Sequence, residues 1–194
     1  DCFILCGGKG KRLKEITGKV PKPMVSIGKR PFLNIVIGHL RYLGFKRFIL
    51  GVGYLTSFIK KYYSRNKIPG AEIVFSKEAK PLGTGGALKR AQKFIKSKDF
   101  LVINGDSFSD FNLGEFIKFY KRKKASALML LRDMKNSKGY GLVSVNPKSE
   151  VVFYNEKDSK NKGGSINSGV YLFNRRIFTM MPGKSVFSLE YDFF

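Results

Sequence analysis

Tryptophan is absent from this chain, histidine occurs once, and the two cysteines both fall within the first six residues. The single His39 has no second imidazole to share a metal with and lies in a segment of helical spacing, so no histidine-based catalytic or metal constellation is available. Cys2 and Cys6 sit four apart in one apolar run, on one face of a strand, where they cannot easily bridge. With no third cysteine to give metal-ligand spacing, they read as buried, reduced thiols of a cytoplasmic protein. No apolar run approaches the roughly 18 residues of a membrane span, and the start lacks a basic-then-apolar signal pattern. Acidic residues are scarce, 14 against 37 Lys and Arg, which leaves a formal net charge of +23.

That excess points either to a phosphate-rich partner or to a lysine-rich surface. The lysines are scattered along the chain and form no stripe. Their tightest cluster, Lys121-Arg122-Lys123-Lys124, falls where a helix should end and there suits the helix dipole. Aromatics adjoin basic residues at Lys61-Tyr62-Tyr63, but no recognised nucleic-acid module surrounds them. The expected partners are therefore small phosphate-bearing molecules, with no nucleic acid and no membrane span. Self-association into a homo-oligomer is left open.

Hydrophobic residues at 43% and charged residues at 26% describe a globular chain, and 194 residues suffice for one well-buried domain. The apolar run from Asp1 to Cys6 ends abruptly in glycines and reads as a buried strand. Residues 31–43 carry apolar side chains at helical spacing, with Pro31 at the first turn and Gly44 just past the end. Strands follow at 48–52, 72–76 and 100–103, and a helix at 56–63. Another helix is capped by Thr84 and runs to about Phe94, and a further one, 113–123, is capped by Asn112. Beyond it come strands at 127–131, 142–145, 151–154 and 166–173 with little helix between them. The pattern predicts an α/β fold: a Rossmann-like, doubly wound, mainly parallel sheet, with extra β strands in the second half. The chain starts without Met inside an apolar run and stops at Asp192-Phe193-Phe194 without a closing element. It reads as a single domain, 1–194, lacking its C-terminal segment.

Open sheets of this kind bind ligands at the carboxyl ends of their strands. Two glycine-bearing stretches fall at that edge, Cys6-Gly7-Gly8-Lys9-Gly10-Lys11-Arg12-Leu13 and Asn104-Gly105-Asp106. The first fails the dinucleotide fingerprint, because Leu13 takes the place of the third glycine, and no G-x-x-x-x-G-K-[ST] loop occurs. Its glycines still let the backbone approach a polyphosphate, and Arg12 can make paired contacts to phosphate oxygens. A glycine-rich turn after a strand is often only a turn. Pro21-Lys22-Pro23-Met24 sharpens the reading, since a lysine mounted between two prolines of fixed φ gains most if it must meet a phosphate.

Gly7-Gly8-x-Gly10-x-Arg12-Leu13, followed by Thr17 and Pro21-Lys22-Pro23-Met24, resembles the signature of sugar nucleotidyltransferases, the pyrophosphorylases. One departure is Lys11, where many members carry a small Thr. The resemblance extends along nearly the whole chain. Pro81-Leu82-Gly83-Thr84-Gly85-Gly86-Ala87 looks like the family's base-binding loop. Asn104-Gly105-Asp106 resembles its metal-binding segment, although it would also serve as an ordinary Asx turn. Glu156-Lys157 and Asn167-Ser168-Gly169-Val170-Tyr171 look like its sugar-phosphate segments.

The resemblance implies a domain that transfers a nucleoside monophosphate to a sugar 1-phosphate and releases pyrophosphate. Arg12, Lys22 and Asp106 would be catalytic, with Asp106 holding Mg2+. Cys6, Gly7, Gly8, Lys9, Gly10, Lys11, Glu78, Leu82, Gly83, Thr84 and Gly85 would bind the nucleotide. Asn104, Glu156, Lys157, Asn167 and Gly169 would bind the sugar phosphate. In the family a second aspartate near the carboxyl end shares the metal, and neither Asp110 nor Asp192 sits in a segment resembling it. With Phe187-Ser188-Leu189-Glu190, the pattern most resembles the D-glycero-D-manno-heptose 1-phosphate guanylyltransferases of bacterial surface polysaccharide synthesis. That implies GTP as donor, while CTP, UTP and dTTP enzymes share the same loops.

A non-catalytic nucleotide-binding module is the alternative from another class, and it need not keep Arg12, Lys22, Asp106 and Lys157 together. A retaining glycosyltransferase would need a D-x-D motif, but Phe108 stands where the second Asp belongs. Arg12→Ala should lower turnover by about two orders of magnitude with a smaller change in apparent affinity. Steady-state pyrophosphate release measures this, and near-normal turnover would remove Arg12 from the catalytic set.

Overall fold

A computed structural model of the chain describes residues 1–8, 20–137, 139–155 and 163–194. Strand β1 (Cys2–Leu5) alternates its side chains between two apolar environments and is buried on both faces. A small hairpin, β2 (Ser26–Ile27) and β3 (Arg30–Pro31), precedes helix α1 (Phe32–Tyr42). Then come β4 (Arg47–Val52), α2 (Thr56–Arg65), β5 (Glu72–Lys77), α3 (Gly83–Ala91), β6 (Asp99–Asn104) and α4 (Leu113–Lys123). The four longer-range strands pair in parallel in the order β5-β4-β1-β6, so the chain builds outward from β1 on one side and crosses back to the other. Helices α1, α2 and α4 cover one face through Leu33, Val36, Ile37, Leu40, Ile59, Tyr63, Phe116 and Tyr120. Helix α3 covers the other through Ala87, Leu88 and Ala91.

The second half is antiparallel. β7 (Ala127–Met134), β8 (Leu142–Val145), β9 (Val151–Asn155) and β10 (Gly164–Asn174) end with two one-turn helices, α5 (Ile177–Met180) and α6 (Leu189–Asp192). The long β10 belongs to two parts of the sheet. Val170 to Asn174 lies against β6, Ile166 pairs with β8, and β7 runs along the opposite edge. The ladder between β10 and β7 shifts register between Asn167 and Tyr171. Gly169 lies in that break with φ +70°, a conformation glycine reaches without strain.

The expected order of strands and helices is present, with boundaries shifted by at most three residues. Asn112 caps α4 as expected, accepting the Glu115 N–H at 3.0 Å, and Gly44 ends α1 with φ +95°. Thr84 does not cap α3. The Phe187 carbonyl takes the Gly85 and Gly86 N–H groups at 3.0 and 3.1 Å, so the donors a cap would serve are already satisfied. The helix also gives way to a 3-10 turn at Gln92–Phe94. After β10, Ile177, Phe178 and Leu189 pack on the α3 face, and the Phe194 ring stacks on Tyr171 at 5.6 Å. Asn112→Ala should lower the unfolding free energy by about 1 kcal/mol, read as a shifted urea midpoint with an unchanged m-value.

Candidate active site

The order of the parallel strands reverses at β1, and a cavity of about 520 Å³ opens at their carboxyl ends. Gly7 and Gly8 line it after β1, Gly53 and Tyr54 after β4, residues 78–84 after β5, and Asn104 and Asp106 after β6. The floor is tight. The Gly105 N–H donates to the Leu5 carbonyl at 2.9 Å, and a Cβ on Gly105 would come within 2.8 Å of that oxygen. Glycine is therefore what lets β1 and β6 keep pairing up to the cavity.

Lys22 and Asp106 meet at the mouth. Lys22 opens a 3-10 turn (Lys22–Met24) whose Pro23 and Met24 are buried, and Pro21 beside it is buried too. Those anchored neighbours aim the side chain, and Nζ donates to Asp106 Oδ2. Both side chains are about one-third exposed, so the pair adds little stability and its value is positional. Ser107 Oγ reaches the other carboxylate oxygen at 3.3 Å.

Glu78 is the second carboxylate on the wall, and only 9% of it is exposed. Its Oε2 accepts the Leu82 N–H at 3.0 Å, and its Oε1 lies beside Gly7, 3.0 Å from where a Cβ would sit. Burial pushes its carboxyl above the usual carboxylate range, while the Leu82 N–H and the nearby Arg90 charge pull it partway back.

The structure brings together eight of the residues singled out from sequence: Gly7, Gly8, Glu78, Leu82, Gly83, Thr84, Asn104 and Asp106 all line the cavity. Lys22 joins them through Asp106. Cys6 turns instead into the core, where burial drives its thiol pKa upward and keeps the group protonated. Gly85 does not line the cavity. A Cβ there would fall 2.2 Å from the Phe187 ring, so its smallness serves the packing of the 185–188 segment. Asn167 and Gly169 lie behind Asn104, with a Gly169 Cβ position 2.5 Å from Asn104 Nδ2. Lys9, Gly10, Lys11, Arg12, Glu156 and Lys157 lie outside the described residues. Sequence reasoning passed over Gly53 and Tyr54, although Gly53 directly follows the buried strand β4, as Gly7-Gly8 follows the end of β1.

The nucleotidyl transferase family model matches residues 2–188. The chain is 39% identical over 190 residues to the D-glycero-alpha-D-manno-heptose 1-phosphate guanylyltransferase of Campylobacter jejuni, covering 98% of this chain and 83% of that protein. It is 36% identical to the enzyme of the same name from Aneurinibacillus thermoaerophilus, covering all of this chain and 83% of the relative. The crystal structure of HddC from Yersinia pseudotuberculosis complexed with GMP-PN superposes with a TM-score of 0.88 at 34% identity, over the whole chain and 84% of that protein. The chain belongs to the nucleotidyl transferase family. It is an enzyme of the class that joins a nucleotide to a sugar phosphate.

Asp106 suits a hard cation that takes few protein ligands and completes its shell with phosphate oxygens. Among the described residues no cluster of three His, Cys, Asp or Glu could hold a metal alone. Asp192 is engaged elsewhere, with Lys184 at 2.6 Å and the Ser188 N–H at 2.7 Å. Magnesium binding should therefore be weak, in the millimolar range or beyond, without nucleotide and much tighter with it. Calorimetry of Mg2+ with and without a triphosphate measures this, and Asp106→Asn should remove the nucleotide-dependent gain.

Proposed function

We propose that the enzyme transfers GMP from GTP to the 1-phosphate of D-glycero-D-manno-heptose, giving a GDP-heptose and pyrophosphate for surface polysaccharide synthesis. The observation that carries this reading is the meeting of Lys22 and Asp106 at the mouth of a glycine-walled cavity whose inner wall holds a carboxylate. The acceptor is already a phosphate dianion, so it needs no general base, in keeping with a site whose described residues include no histidine. One acceptor oxygen attacks the α-phosphorus, the bond from that phosphorus to the bridging oxygen breaks, and its electron pair leaves with pyrophosphate. Catalysis then rests on in-line placement and neutralisation of charge. Lys22 and Lys157 hold the two reacting phosphates, while Arg12 and the Gly8–Lys11 backbone steady the departing pyrophosphate. Asp106 holds Mg2+, which when bound offsets charge on the phosphate oxygens. Two free, buried thiols support placing the reaction in the reducing cytosol.

Glu78 supports guanine. An ionised carboxylate only accepts hydrogen bonds, and guanine alone among the bases offers two adjacent donors, N1–H and the 2-amino group, on its Watson–Crick edge. Uracil and thymine set one N–H between two carbonyls that a carboxylate repels, and cytosine and adenine set one amino group beside a ring acceptor. Incubation with the heptose 1-phosphate and each triphosphate, followed by mass analysis, should give product chiefly with GTP. A clear preference for CTP, UTP or dTTP would overturn the base choice.

Because burial raises the Glu78 carboxyl, acidification protonates it above the ordinary carboxylate range and turns one acceptor into a donor. GTP affinity should thus fall as pH is lowered. Glu78→Gln should weaken GTP binding by roughly 10- to 100-fold and flatten this dependence. Titration of GTP binding across pH for both proteins measures it.

A further inference from the structure

Glu190 lies outside the cavity, on the one-turn helix α6, and nothing so far gives it a part in the reaction. We propose that it is a positioning residue whose carboxylate ties the nucleotide side of the site to the sugar-phosphate side. The proposal rests on the two-substrate reading above.

On one side, Thr84 at the start of α3 lines the cavity, and its Oγ1 donates to Glu190 Oε2 at 2.6 Å. On the other, the hydroxyl of the fully buried Tyr171 donates to Glu190 Oε1 at 3.2 Å. That hydroxyl accepts from Asn167 Nδ2 at 2.7 Å, and Asn167 Oδ1 takes the Gly169 N–H at 2.9 Å. Gly169 in turn abuts Asn104, which lines the cavity. The chain of contacts leaves the cavity wall at Thr84 and returns to it at Asn104.

The direction of every hydrogen bond is determined. Thr84 Oγ1 accepts the Leu189 N–H at 2.8 Å, so its own proton is free to donate. Ser188 Oγ accepts the N–H groups of Glu190 and Tyr191 at 3.1 and 3.3 Å and donates to Oε2 at 2.6 Å. Tyr171 is committed in the same way by Asn167. Three hydroxyls, each already serving an N–H, thus turn their protons onto one carboxylate. Only a group that accepts at both atoms satisfies all three. An amide would set an N–H against one of these hydroxyls and leave that hydroxyl's proton without an acceptor, and in a partly buried network one mismatch is felt by its neighbours.

A mere structural staple would lower stability without sorting the substrates, whereas a positioning role predicts a split. Tyr171→Phe deletes only the hydroxyl facing Asn167 and should raise the KM for the sugar phosphate about tenfold, leaving that for GTP within about twofold. Thr84→Val should do the reverse, and Thr84→Ser should restore the wild-type values. Glu190→Gln should raise both and lower kcat by roughly 10- to 100-fold. Steady-state kinetics with each substrate varied in turn, beside melting temperatures, read all of this. If Glu190→Gln fails to fold, the two hydroxyl deletions carry the test alone. Variants that lose melting temperature yet keep both KM values and kcat overturn the proposal. A wild-type protein that releases no pyrophosphate with any triphosphate and sugar phosphate overturns the functional reading first, and this proposal with it.

Discussion

Strand β1 is hydrogen-bonded along both edges, to β4 on one side and β6 on the other, each in parallel. A parallel strand at the centre of a sheet must be apolar on both faces and must be left at its carboxyl end through a loop that clears its neighbours. Here that loop begins Cys6-Gly7-Gly8, and the loop leaving β6 begins Gly105-Asp106. Because strand order reverses at β1, the two loops cannot fill the space between them. The cavity is a consequence of topology, and the side chains on its wall are what chemistry has added.

Much of this was legible in the residues. The run ending at Cys6, the glycine that stops α1 and the Asn112 cap are local signals, and they produced local structure where expected. Lys22 and Asp106 were each singled out for separate reasons, but they are 84 residues apart, and nothing local states that they touch. The glycines of α3 show the limit best. Their spacing suggested a capped helix start packing against a ligand, whereas Gly85 and Gly86 accommodate the 185–188 segment about a hundred residues away. A missing side chain records that something comes close without naming what it is. β10 poses the same difficulty, since its place between β6 and β7 depends on long-range pairing that an apolar pattern cannot encode.

Electrostatics gives the site its contrast. In a chain of net charge +23, the described residues of the cavity wall include two carboxylates, each with a donor assigned: Lys22 for Asp106 and the Leu82 N–H for Glu78. The surrounding field draws in a polyanion and raises its local concentration. In the proposed reaction the two acids act against that background at single points, Asp106 beside the phosphates and Glu78 against the base. On that proposal scattered lysines serve attraction, and rare carboxylates serve discrimination.

β10 also affects how the molecule comes into being. It is the last strand among the described residues, yet it lies between β6 and β7, with partners on both edges. Until residue 174 has left the ribosome, β6 has an open apolar edge and β7 has no neighbour. At 5–20 residues per second, the interval between finishing β7 and finishing β10 is roughly 2–8 s. Throughout it the nascent chain carries β6 with one free edge and β7 with no partner, an arrangement prone to capture by another chain. A sheet joined across a strand that arrives this late is thus most exposed to aggregation during its own synthesis, and chaperone demand should peak in that window.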